Sequence, residues 1–184
     1  MTEIMTDQSR CGRIADYLPL IQTADGLTLS QVCSICKLES TTIQNWIKRG
    51  YVPHPVGKKY LGRHLARILL ISELREGLQI EAVGELLRYI NGDTDDESDD
   101  IITEERLYDV YHELTEQLDG FRFEHERVGD IASQIVGSIP ELSEPDKKKI
   151  TNALLVMVNV YAASCYKREA QKLFINMIKG VQHG

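Results

Sequence analysis

The sequence predicts a mainly all-α protein with a small β wing. Three observations predict it. Apolar residues recur at helical spacing over most of the chain. One segment, carrying Pro53 and Pro55, breaks that spacing early on. A run of acidic residues, Asp93 to Asp100, interrupts it again near the middle. The resulting division is an N-terminal arm over 1–26, a first domain over 27–92, an acidic linker over 93–100 and a C-terminal helical bundle over 101–184.

Within the arm, Tyr17-Leu18-Pro19-Leu20-Ile21 is a short apolar patch able to pack on the first domain, and the remainder reads as flexible. The first strong signal is Leu27-Thr28-Leu29-Ser30-Gln31-Val32-Cys33. Thr28 suits a helix N-cap, with Gln31 three residues on to complete a capping box. Leu29, Val32 and Cys33 then share one face. Lys37-Leu38-Glu39 makes a turn, Ser40 is a second N-cap, and a helix over Thr41 to Lys48 points Ile43, Trp46 and Ile47 inward until Gly50 ends it. Two short helices, a tight turn and a buried seam describe a helix-turn-helix. The segment Tyr51 to Tyr60 reads as an extended loop or small wing. Helices come next over Leu61–Arg75, broken at Gly77, and over Ile80–Ile90, closed by Asn91-Gly92.

Three helices are expected beyond the acidic run. Leu107 to Leu118 ends at Asp119-Gly120. Phe121 to Ile139 ends at Pro140. The third starts at Ser143 and reaches about Lys179. The middle of this last helix, Ala153 to Ala163, is apolar nearly all round, which implies burial on more than one side and makes it the place for a core, a ligand pocket or a dimer interface.

Charge is unevenly spread. The chain carries −7 overall, yet residues 28–92 hold nine basic and five acidic side chains, net +4, while residues 93–184 are net −9. Only the basic segment is a candidate for phosphate contact. No apolar run reaches the length of a membrane span and no signal peptide is visible, so the expected location is the cytoplasm, with no membrane partner.

The order Leu27-Thr28-Leu29-Ser30-Gln31-Val32, Thr42-Ile43, Lys48-Arg49-Gly50-Tyr51-Val52-Pro53, then Gly57-Lys58-Lys59-Tyr60 and Gly77-Leu78-Gln79-Ile80-Glu81 resembles the DNA-binding domain of the MerR family. Thr42-Ile43-Gln44-Asn45-Trp46, Pro55-Val56-Gly57-Lys58-Lys59-Tyr60 and Tyr89-Ile90-Asn91-Gly92 resemble a bacterial family carrying such a domain and named only as a domain of unknown function. The resemblance implies a MerR-like winged helix-turn-helix that binds double-stranded DNA, with a regulator of transcription as the expected function. The second helix would lie in the major groove and the wing would grip the backbone. Thr41, Thr42, Gln44 and Asn45 would face bases, and Lys48, Arg49, Lys58, Lys59, Tyr60 and Arg63 would reach phosphates. Where MerR recognition helices place arginines and a tyrosine, this chain has Thr41, Gln44 and Asn45, so base readout differs.

Other chemistry is weakly signalled. Cys33 and Cys36 have a metal-like spacing without the second pair a structural zinc site needs, and read as packed small side chains. Asp93, Asp95, Glu97, Asp99 and Glu104 mimic a calcium loop, but Ser98 stands where that loop needs glycine. The five histidines, His54, His64, His112, His125 and His183, fall in no nucleophile, metal or phosphate motif. The expectation is no enzyme and no cofactor, with a homodimer and an unknown small-molecule effector as further partners. Two competing readings are a protein-interaction adaptor using the winged surface and a ligand or metal sensor acting through the helical domain.

Overall fold

A computed structural model describes residues 11–118 and 125–181. Residues 1–10 of the expected arm, the Asp119-Gly120 break, Phe121, the ring of His125 and His183 lie outside the described residues.

The order is α1 (Ile14–Thr23), α2 (Leu29–Cys36), α3 (Ser40–Lys48), α4 (Gly62–Leu74), α5 (Ile80–Asn91), a 3-10 turn (Glu97–Asp99), α6 (Glu104–Glu116), α7 (His125–Gly137) and α8 (Glu144–Val181). Among the described residues no helix is long and apolar enough to cross a membrane.

The centre is α4. Leu65, Ala66, Ile68, Leu69, Leu70 and Ile71 are buried in succession, because α1, α2, α5, α6 and α8 pack around it. A helix covered on all sides carries no polar stripe. The second layer is α6, which touches α1, α4, α7 and α8. One hydrophobic core runs continuously from Ile14 to Val160.

Three local devices match the sequence-based expectation closely. Thr28 Oγ1 accepts from the Gln31 N–H at 3.3 Å, and the Gln31 side chain accepts from the Thr28 N–H at 2.8 Å. Lys37 then takes φ +54° and turns the chain from α2 into α3. Glu39, not Ser40, occupies the N-cap of α3 and makes no side-chain cap bond, so α3 starts one residue early. Gly50 ends it at φ +74°, a conformation costly for a residue with Cβ.

Three expectations change. The arm holds a helix from Ile14, despite Pro19 inside it. Tertiary bonds hold it in place: the Ile14 N–H donates to Asp109 Oδ1 at 2.7 Å, Arg13 pairs with Glu116 at 2.8 Å, and His112 Nε2 lies 3.1 Å from the Cys11 carbonyl. The β wing is not formed as a sheet. Among the described residues only two isolated bridges occur, Leu27 with Tyr60 and Val56 with Lys59. Pro53 and Pro55 lack N–H donors, and the turn at Gly57-Lys58, both at positive φ, closes after a single pair.

The acidic run is also not a free hinge. Glu97 pairs with Arg63, Asp95 accepts from the His54 N–H at 3.1 Å, and Asp99 accepts from the Asp93 N–H at 3.0 Å. Asn91 clasps the backbone of Ile102, donating to its carbonyl at 2.7 Å. Beneath them Arg67 and Glu104 form a buried ion pair, with side chains 3% and 8% exposed. Arg67 also donates to the Tyr51 carbonyl at 3.1 Å and to Thr94 Oγ1 at 3.2 Å. With the carboxylates committed to separate partners, no group of three metal-ligating side chains occurs among the described residues.

Candidate nucleic-acid interface

The candidate surface is built by α3 and the loop after it. Helical spacing divides α3 cleanly. Ile43 and Trp46 are buried, with α3 packed on α2, while Thr41, Gln44, Asn45 and Lys48 are exposed at i, i+3, i+4 and i+7. Thr42 is half-buried at the edge. The guanidinium of Arg75, on the residue capping α4, sits 5.5 Å above the Trp46 ring and fixes that buried edge. Trp46 is therefore a packing residue.

The basic residues fare differently from one another. Lys48 and Lys58 are exposed and make no ion pair among the described residues. Lys58 stands at the loop tip at φ +66°, beside Gly57 and the exposed Val56. Arg49 is also exposed but is held by Glu81 of α5 at 2.7 Å and lies over the Tyr51 ring. The Glu81 carboxyl sits below its usual range, first through its own backbone N–H and then through Arg49.

Three residues expected at phosphates are placed elsewhere. Lys59 Nζ donates to the carbonyls of Ala24 at 2.9 Å and Gly26 at 3.2 Å, filling the acceptors left at the end of α1. Tyr60 is 4% exposed, its ring edge-on to His64, because its backbone bridge to Leu27 turns the side chain into the core. Arg63 is mostly buried and neutralised by Glu97. Sequence reasoning missed the set of carboxylate partners, Glu81, Asp95 and Glu97. They lie 32 to 41 residues from their partners, and no local pattern reports such a pairing.

His64 belongs to the scaffold of this loop. Its Nδ1 accepts from the Leu61 N–H at 3.0 Å, and its Nε2 lies 3.0 Å from the His54 carbonyl. Burial holds its pKa below the usual histidine value, so it is a neutral strut. Cys33 and Cys36 are free thiols. Burial pushes both up in pKa, most strongly Cys36, away from the thiolate that metal binding or redox chemistry uses. A cavity of about 230 Å³ opens between α2, α4 and α8, lined by Cys36, Lys37, Glu73, Tyr161 and Arg168.

Residues 21–111 match a protein family described as "Domain of unknown function (DUF1836)". That match takes in α2 to α5, the acidic run and the start of α6. A curated relative, "Uncharacterized protein YkrK" of Bacillus subtilis (strain 168), is 30% identical over 93 residues, 48% of this chain. The aligned part spans 40% of that relative's length. No solved structure matches.

Proposed function

We propose that the segment 27–92 is a winged helix-turn-helix module that binds double-stranded DNA, with α3 entering the major groove, and that the protein regulates transcription. One observation carries the reading. The outer face of α3 holds only uncharged hydrogen-bonding side chains, Thr41, Gln44 and Asn45, followed by one lysine, while its inner face is anchored by Ile43 and Trp46. Gln and Asn can pair bidentately with adenine, and Thr can meet a thymine methyl. Lys48 and Lys58 flank that face as phosphate contacts. Arg49 and Arg63 join them only by exchanging Glu81 and Glu97 for phosphate.

The charge arrangement sets the expected strength. Each phosphate neutralised contributes a slope of about −0.9 to log K against log salt. Two free lysines therefore predict a slope near −2 per protomer. Net −9 over residues 93–184 holds that part of the molecule away from a duplex.

The test is a mobility shift of the full chain on the DNA upstream of its own gene, at two salt concentrations, with random duplex as competitor. Specific, salt-sensitive binding supports the proposal. Binding no better than to random duplex removes it. In that event the pairing of Arg49 with Glu81 and of Arg63 with Glu97 favours an adaptor, since a mixed-charge face suits a protein partner better than a polyanion.

A further inference from the structure

The outer face of α8 lacks the charges a solvated helix carries. Buried Ile150, Leu154 and Met157 mark its inner face. On the opposite side, Val156, Asn159, Ala163, Tyr166, Ala170 and Leu173 are all exposed, and Met177 comes one turn later. Their spacing alternates three and four residues without a break, the repeat by which two helices pack along a seam. Not one position of this stripe is charged, although Lys167, Glu169 and Lys172 lie beside it. Val156 is 45% exposed, Tyr166 52%, Leu173 61% and Met177 58%. Solvated helix faces in globular proteins are polar and charged.

We infer that α8 pairs with α8 of a second copy of this chain, antiparallel, about a two-fold axis between Ser164 and Cys165. The side-chain sizes select that register. It sets Ala163 opposite Tyr166 of the second copy, Asn159 opposite Ala170, and Val156 opposite Leu173, so each layer but the outermost joins a large residue to a small one. A parallel register would stack alanine on alanine and tyrosine on tyrosine. Antiparallel pairing also lays the end of α8, where residues 171–179 are exposed on every side, along the part of the other α8 that is backed by α7. The stripe is about 30 Å long. Its apolar side chains, with Phe174 at the flank, offer several hundred Å² per copy, the order of the ~800 Å² per partner that a stable interface needs. The small residues at positions 163 and 170 let two backbones approach closely, which a lipid surface would not require. The inference does not depend on DNA binding, and its test measures mass.

The full chain is measured by light scattering and sedimentation at micromolar concentration. A dimer is expected, and Leu173→Glu with Met177→Glu is expected to weaken it by roughly a hundredfold or more, with helical content and melting otherwise kept. Ala163→Arg should act similarly from within the seam. With Cys11, Cys33 and Cys165 replaced by serine, mixing Val156→Cys protein with Leu173→Cys protein under mild oxidation should yield a covalent heterodimer that neither yields alone. A monomeric wild type overturns the inference, as does a dimer indifferent to all three charged substitutions. Covalent dimers of Leu173→Cys by itself overturn the antiparallel register. Flotation of a monomeric wild type with phosphatidylglycerol vesicles would assign the stripe to a membrane instead.

Discussion

Replacing Glu104 with alanine tests whether the acidic run is part of the folded body. The Arg67 and Glu104 side chains are 3% and 8% exposed, so water cannot replace the lost carboxylate. Arg67 would keep two neutral acceptors, the Tyr51 carbonyl and Thr94 Oγ1, and would lose the carboxylate that pairs with it directly, leaving Asp100 within electrostatic reach. Removing one member of a buried ion pair costs about 3–5 kcal/mol, since the other charge stays desolvated. At about 2–4 °C per kcal/mol for a domain of this size, melting should fall by roughly 10 °C. The measurement is thermal and urea unfolding of the full chain followed by circular dichroism. Arg67→Met combined with Glu104→Leu should recover most of the loss, because replacing both charges with apolar groups is close to neutral. The segment 93–100 should become protease-sensitive in the single variant, since Arg67 also holds Thr94. A loss below about 1 kcal/mol, or a double variant as unstable as the single one, would refute the reasoning.

Further predictions concern charge. Lys48→Ala and Lys58→Ala should each flatten the salt dependence of DNA binding by about 0.9 in slope. Lys59→Ala should leave that slope unchanged and lower stability by about 1 kcal/mol, because its ammonium caps the carbonyls of Ala24 and Gly26. Glu81→Gln releases Arg49 and should steepen the slope, read from the same titration. The carboxyl of Asp100 is pushed up to about 7 by burial and by Glu104, Asp99 and Glu97. A raised carboxyl keeps its full contribution below the unfolded value and loses it as pH rises through the folded one. Asp100→Asn should therefore raise the melting temperature at pH 8 and leave it nearly unchanged near pH 4. His64, held below its usual value by burial, acts in the other direction, costing stability as pH falls below about 6.5.

Much of the helical plan was legible because its signals are local. The Thr28–Gln31 box, the turn at Lys37, the stop at Gly50 and the apolar spacing of α4 to α8 each depend on residues within a turn or two. The division of α3 into an anchored and an exposed face comes from helical spacing alone, so Thr41, Gln44, Asn45 and Lys48 were readable as surface and Ile43 and Trp46 as core.

The rest depended on distant partners. The arm read as a short apolar patch in an otherwise flexible segment, yet it holds a helix that Asp109 and Glu116 fix in place. Eight residues of like-charged and polar character read as a hinge, but Arg63 supplies a counter-charge to Glu97, and His54 and Arg67 supply hydrogen bonds to Asp95 and Thr94. Lysines and arginines that look equivalent in a basic stretch were sorted by folding into two open cations, Lys48 and Lys58, and three held ones, Arg49, Lys59 and Arg63. Sequence spacing specifies which face of a helix a residue takes. Which charges remain unpaired on that face is decided by segments that only tertiary packing brings alongside, because a Coulomb interaction acts through space and leaves no periodic mark along the chain.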